Sequence, residues 1–463
     1  MKHSFISFSS ILKSTSVFII TATVCLVMLL TISLIPQSAI NKGVRSSSDF
    51  FDSHDLFATV IDGQFNTRQD NYADCILVNI MYNVGQKDGQ SLFASLMEDS
   101  YYHEENTNVN VGLRASVDSD VEANTEYSRY WHGSMVLLRP LFTFTDINGA
   151  RLILGIIMHL LVISGVFLLW KRGYHSYSVI YLIGMVLINS WMLCCCIEYV
   201  TTFLVMGVVN IAVIILHNKK AVADESRHGK QLMLLMIISG VVTCFLDFLT
   251  TETITFTLPL LTELVMSRSD HKNTSTERFP EKKTYIQYFQ YIVAWGISYA
   301  GMFGLKWILS YIVLGKQSLD STLSQAQERI SGTVYLGNTN LDPTADVGQR
   351  LSGALNHNMS MFFPFRNDAN TAAGAVFFLI LVVITMSIVY LFRSKQFNPA
   401  MTGLMLLLGL VPYVRYLLLS NHAYMHYFFT YRAQLVTVMV LMYICWEYGL
   451  ENVVSSKHRK ARR

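Results

Sequence analysis

The chain has 463 residues, 52% of them hydrophobic and only 14% charged, far fewer charges than the quarter or so usual in soluble domains. That composition excludes an ordinary soluble enzyme, and the net charge of +3 conceals a strong sidedness. The sequence holds no GxxxxGK[ST], HExxH or GxSxG pattern, which argues against an ATP-driven pump or a zincin.

Apolar runs on the scale of the ~20 residues that cross hydrocarbon recur along the chain. They predict ten spans, at 17–36, 150–170, 177–196, 199–216, 231–248, 253–267, 287–314, 371–392, 400–419 and 430–447. The turn at Cys194–Tyr199 has no Gly or Pro, and Thr250–Thr255 is polar, so the third and sixth spans are the least regular. The first run, Val17–Ile35, is longer than a signal-peptide core. A cut after Ala39 would also leave Gln37 where a small residue is wanted, so the run reads as a retained anchor.

Basic residues set the orientation. Of 35 Lys and Arg, 20 fall in the short segments predicted to lie inside, including Lys219–Lys230, Arg268–Lys283 and the tail Lys457–Arg463. The loop Lys42–Asp146 carries 16 acidic and 7 basic residues, as expected outside. Both termini are then cytoplasmic, in a bacterial inner membrane, and the tail reads as an anchor to anionic lipid with no nucleic-acid partner. Seven cysteines give no disulfide framework: Cys75 alone lies outside, and Cys194–Cys196 read as packing.

The expected organisation is an anchor (1–37), an extracytoplasmic loop domain (38–148), spans two to seven (149–315), a second extracytoplasmic segment with interfacial helices (316–370), spans eight to ten (371–450) and a basic tail (451–463). In the first external domain Asp70 suits the cap of a helix running to about Tyr82, with Ile76, Leu77, Ile80 and Met81 as its apolar stripe. Tyr127–Leu138 predicts an amphipathic boundary helix stopped by Arg139-Pro140. In the second, Leu319–Ile330 and Ala345–Met359 predict surface helices. Val347, Leu351, Leu355 and Met359 of the latter form a stripe that suits either the bilayer or the underside of the first domain.

Four groups suit chemistry. Asp70 and Asp74 share a helical face and suit a general base with a partner that tunes it or holds a divalent cation; the plainer reading is a cap and a solvated face. Arg129, Trp131, His132 and Arg139 suit a lipid phosphate and a stacked sugar; the plainer reading is a boundary helix with snorkelling cations. Asp247, with Glu252, sits at a span end, where ionisable groups are costly, or simply marks a turn. Asn421, His422, His426 and Arg432 suit charge-assisted contact with phosphate or sugar, or form the polar rim of a hairpin. Lys306 lies inside a span. Asp118-Ser119-Asp120 spells DxD but reads as solvated loop.

Together these pieces resemble the GT-C class of polytopic glycosyltransferases, with a first span, a large external loop bearing an acidic residue, then many spans. More narrowly, the pieces Gln64–Asp74, Arg129–Gly133, Asp247–Thr251 and His426–Arg432 look like those of a set of uncharacterised bacterial membrane proteins. The GT-C resemblance implies an all-α membrane fold and transfer of sugar from a polyprenyl-phosphate carrier to an envelope glycan or lipid acceptor at the outer face. Asp74 or Asp70 would act as base, Arg129, Arg139 and Arg432 would hold the phosphate, and His132 and His426 would complete the site. No cofactor is implied beyond a divalent cation. In that class the acidic residue often follows the first span closely; here Asp49, Asp52, Asp55 and Asp62 lie nearer to it than Asp70 and Asp74. The competing expectations are a polysaccharide or lipid-precursor flippase, and a non-catalytic envelope-assembly protein.

Overall fold

The computed structural model describes residues 8–119, 121–220, 225–274, 281–331, 346–362, 373–392 and 398–447. Within them the chain is helical and has no strand, only two isolated bridges, Thr59 with Arg68 and Tyr101 with Thr125.

Helix α1 (Phe8–Ser33) ends before Pro36, and α2 (Gln37–Ser53) starts immediately after it, because proline disfavours a continuous helix through itself and its predecessor. The segment between α2 and the next long apolar helix adds α3 (Asn71–Asn83), α4 (Leu92–Glu98), α5 (Val109–Asp118) and α6 (Met135–Leu141). The predicted cap is present: Asp70 accepts the Ala73 N–H at 2.9 Å. The expected stripe is wider than four residues, since every side chain from Asp74 to Asn83 is buried. Helix α3 is the centre of its domain, held between α2 and α5, and its Asn79 and Asn83 bond to Tyr102 O and Asn79 O instead of water.

The predicted helix Tyr127–Leu138 is corrected. Residues 127–134 form turns, and α6 begins at Met135 and runs through Pro140. Tertiary contacts override the local pattern. His132 takes a left-handed φ of 47°, the Gly133 N–H bonds Phe245 O at 3.0 Å, and a Cβ on Gly133 would lie 2.3 Å from that same oxygen. The segment is a wedge seated on a span end, and not a rod on the bilayer.

The transmembrane bundle follows: α7 (Ile147–Lys171), α8 (His175–Leu187), α9 (Ile197–Lys220), α10 (Glu225–Leu246), α11 (Ile254–Thr274) and α12 (Glu281–Leu314). The next segment contains α13 (Lys316–Ser331) and α14 (Val347–Ser360), close to the two predicted surface helices; a capping box of Asp346 and Gln349 starts α14. The chain returns through α15 (Ala373–Phe392) and α16 (Pro399–Leu418), then α17 (Ser420–Met425), α18 (Tyr427–Thr430) and α19 (Leu435–Cys445).

Seven helical stretches among the described residues are long and apolar enough to cross a membrane: Ile11–Ser33, Ile147–Lys171, Ile197–His217, Arg227–Leu246, Thr284–Leu314, Pro399–Leu418 and Tyr427–Cys445. Their outward faces carry contiguous exposed Ile, Leu, Val and Phe, as on α1, α7 and α12, and an apolar surface of that size marks contact with lipid. The protein is a helical multi-pass membrane protein.

The other three predicted spans fall on different structures. Residues 177–196 divide into α8 and a 3₁₀ turn, Ser190–Cys194, entered through Asn189 at a φ of 54°. Residues 371–392 correspond to α15, whose apolar stretch Gly374–Tyr390 is shorter. Residues 253–267 lie in α11, where every side chain from Ile254 to Met266 is buried among α9, α10, α16 and α19. Helices surround Ile254–Met266, which is how its polar groups are tolerated: Thr255, Thr257, Thr262 and Glu263 each find a protein partner. The basic tail lies outside the described residues.

Candidate active site

Asp74 and Asp70 open the same helix yet have different surroundings. The buried Asp74 carboxylate takes two bonds from Arg151 of α7, Nε at 2.8 Å and Nη2 at 2.7 Å. It also accepts the N–H groups of Ile197 (3.0 Å) and Glu198 (3.3 Å) at the start of α9, where the helix dipole favours an anion. Cys196 Sγ approaches at 3.5 Å, and the same Arg151 Nη2 also donates to Asn71 Oδ1 at 2.8 Å. Asp74 thus ties α3, α7 and α9 together with both oxygens occupied.

Asp70 instead lies beside the buried Glu198, carboxyl to carboxyl. An ionised carboxylate only accepts, so a bond between the two requires a proton on one of them. Burial pushes Asp70 up to about 6. The Ala73 N–H opposes this, the Asp74 charge reinforces it, and Arg68 with the Glu198 bond lowers it. Glu198 Oε2 has no further partner.

Around this pair stand cations and rings. The Arg68 guanidinium lies over Phe57 and Phe428, 4.5 and 4.9 Å from their centroids, and burial lowers its pKa. The half-buried Arg129 stacks on Tyr127 at 3.8 Å; burial lowers its pKa, but Tyr127 and Tyr130 outweigh that and raise it. Tyr127 and Tyr72 are both pushed up by burial, and both feel Arg129 and Arg329. From the other side Arg329 of α13 donates to His426 Nε2 at 3.2 Å. Guanidinium only donates, so Nε2 is the acceptor and the His426 proton sits on Nδ1, which is unpartnered. Burial, with the charges of Arg329, Arg415 and Arg68, holds His426 neutral, its pKa well below the usual imidazole value. His422, whose ring is 4.5 Å away, is likewise depressed by burial, then by His426 and Arg415.

The remaining expected site residues are tied to backbone or to one another. All of the Arg139 contacts are carbonyls, Ile35 O at 2.6 and 3.0 Å and Met81 O at 2.7 Å; burial brings its pKa down to about 10. Trp131 is fully buried and donates to Met302 O at 2.8 Å, so its ring is closed to a sugar. His132 meets Asp99 at 3.1 Å, and Lys306 meets the same carboxylate at 2.7 Å; burial nonetheless lowers the His132 pKa. Asp247 caps the next turn, accepting Leu249 N, Thr250 N and Thr250 Oγ1 at 3.0, 3.0 and 2.6 Å. Glu252 is paired with Arg415 at 2.8 Å. Arg432 bonds Phe428 O and Asn66 O, both at 3.1 Å, beneath Tyr199 and Tyr431. Asn421 donates to Glu328 O at 2.9 Å, which docks α17 on α13.

The acids nearer the first span are surface groups. Asp49, Asp52, Asp55 and Asp62 are exposed, and Asp49 and Asp52 pair with Arg114. Asp118 pairs with Arg45, and Asp120 of the DxD lies outside the described residues.

Sequence reading passed over Glu198, Arg151, Arg415 and Arg329. The first three are isolated charges at the ends of apolar runs, which is itself a signal. Arg329 carries no such signal, since its helix reads as ordinary surface.

Beside this region an apolar cavity of about 710 Å³ opens between α8, α15 and α19. Its lining runs from Trp170, His175 and Trp446 at one end of the helices to Leu187 and Phe362 at the other. There Phe362 packs edge-on against Tyr431, 5.7 Å between centroids, the ring under Arg432. No family model, curated protein or solved structure matches the chain.

Proposed function

We propose that the protein is a GT-C-like glycosyltransferase that moves a sugar from a polyprenyl-phosphate carrier to an envelope glycan or lipid acceptor. In this reading the chain has ten spans, with both termini in the cytoplasm of a bacterial inner membrane and the site at the outer face.

One observation carries the reading. Two neighbouring buried carboxyls, Asp70 and Glu198, share their surroundings with Arg68, Arg129 and the Arg329–His426 pair, and an apolar cleft of lipid size opens between α8, α15 and α19. The carrier chain lies along α8, α15 and α19. Asp70 accepts the acceptor hydroxyl proton as that oxygen attacks the anomeric carbon and the carbon–phosphate oxygen bond breaks. Arg329 and Arg129 offset the charge that builds on the departing polyprenyl phosphate, the place where fixed cations are most effective. The base is Asp70 in preference to Asp74, because Asp74 has no free lone pair facing outward, and Arg139 and Arg432 position the backbone.

The test is reconstitution of the full chain in liposomes that contain polyprenyl-phospho-hexoses and a hydroxyl acceptor. Release of polyprenyl phosphate with sugar on the acceptor is the expected result. Movement of the carrier between leaflets without release would place the protein among flippases.

A further inference from the structure

At the other end of α9, about 30 Å from Glu198 by helical rise, a second buried cluster is untouched by this chemistry. His217 closes α9, His228 lies in the first turns of α10, and Glu263 lies mid-way along α11. All three are buried. Their donor atoms lie within 4.8 Å of one another. His217 Nδ1 is 3.0 Å from one Glu263 oxygen and His228 Nε2 is 3.0 Å from the other.

We infer that His217, His228 and Glu263 bind a divalent transition-metal ion of the zinc class. The donor set is right: two imidazole nitrogens and one carboxylate suit zinc, whose bonds of about 2.1 Å put neighbouring ligand atoms ~3.4 Å apart, close to the spacing here. The outer contacts are right as well. His217 Nε2 lies 2.9 Å from Asp270, and Tyr174 OH bonds that same aspartate at 2.8 Å. A carboxylate on the far nitrogen of a metal-bound histidine fixes its tautomer and leaves the near lone pair for the metal. Ser267 donates to Glu263 at 2.9 Å and steadies the third ligand.

His228 Nε2 is the ring nitrogen that faces Glu263, so it is the one that would bind the ion. The ion would join three successive helices, remote from Asp70, and so would brace the bundle without taking part in sugar transfer.

The experiment uses tag-free full-length protein in detergent, stripped with chelator and titrated with Co²⁺ and Zn²⁺. The expected result is one ion per chain, with the visible absorption of four-coordinate cobalt. His228→Ala and Glu263→Gln should each bind at least tenfold more weakly, and Asp270→Asn should show a smaller loss. As a reading that does not depend on variants folding, Zn²⁺ should raise the melting temperature of the stripped wild-type protein. No stoichiometric uptake, no thermal shift in the wild-type protein, or equal binding by folded His228→Ala and Glu263→Gln overturns the inference.

Discussion

Asp70 and Asp74 differ in sequence position by one helical turn and in environment by almost everything that sets a carboxyl's chemistry. Both were visible as candidates, because a capped helix with two aspartates at its positive end can be read directly from Asp70-Asn71-Tyr72-Ala73-Asp74. Their separation into an anchor and a carboxyl with a raised pKa was not, because it depends on Arg151 and Glu198, 77 and 128 positions away along the chain from Asp74 and Asp70 respectively. Two tests follow at this scale. Asp74→Ala leaves Arg151 charged and buried without its partner, at a cost of about 3–5 kcal/mol, read as a large fall in melting temperature; Asp74→Leu with Arg151→Met should recover part of it. Asp70 predicts the opposite dependence on charge. Its pKa rises from the ordinary 3.8 to about 6 on folding. Below 3.8 both states keep the proton. Between there and about 6 only the folded state does, so stability falls as pH rises across that window and levels off above it. The full effect is about 3 kcal/mol. Melting temperatures of wild type and Asp70→Asn, compared from pH 4 to 7, should diverge in favour of the variant.

At the scale of elements, periodicity found most helices, including α3, α13 and α14, because each keeps caps and spacing that suit its final place. It failed at Tyr127–Leu138, where the aromatic pattern of a boundary helix belongs to a turn wedged onto α10. The physical cause is a backbone approach only glycine permits. Gly133→Ala should therefore cost about 1–3 kcal/mol through overpacking against Phe245, measured as a lower melting temperature with unchanged helical content. Helix α11 was harder to classify for a related reason. Hydropathy assigns faces to lipid or water, and Ile254–Met266 of α11 meets neither, so its polar residues look like defects until its neighbours are placed around it.

For the whole molecule, the multi-pass helical class was legible from composition and run length, and the loop Lys42–Asp146 was legible as the place to look. The meeting of that loop with α9, α13 and α17 was not, since Asp70, Glu198, Arg329 and His426 span more than half of the chain. Their meeting is what the enzymatic reading depends on, so the decisive measurement compares release of polyprenyl phosphate from a polyprenyl-phospho-hexose by reconstituted wild type, Asp70→Asn and Asp74→Asn. Loss of general-base catalysis should slow Asp70→Asn about 10²–10⁴-fold while the protein stays folded and its melting temperature does not fall. Asp74→Asn should lose activity only in step with its stability. Full turnover by a folded Asp70→Asn variant would contradict the account.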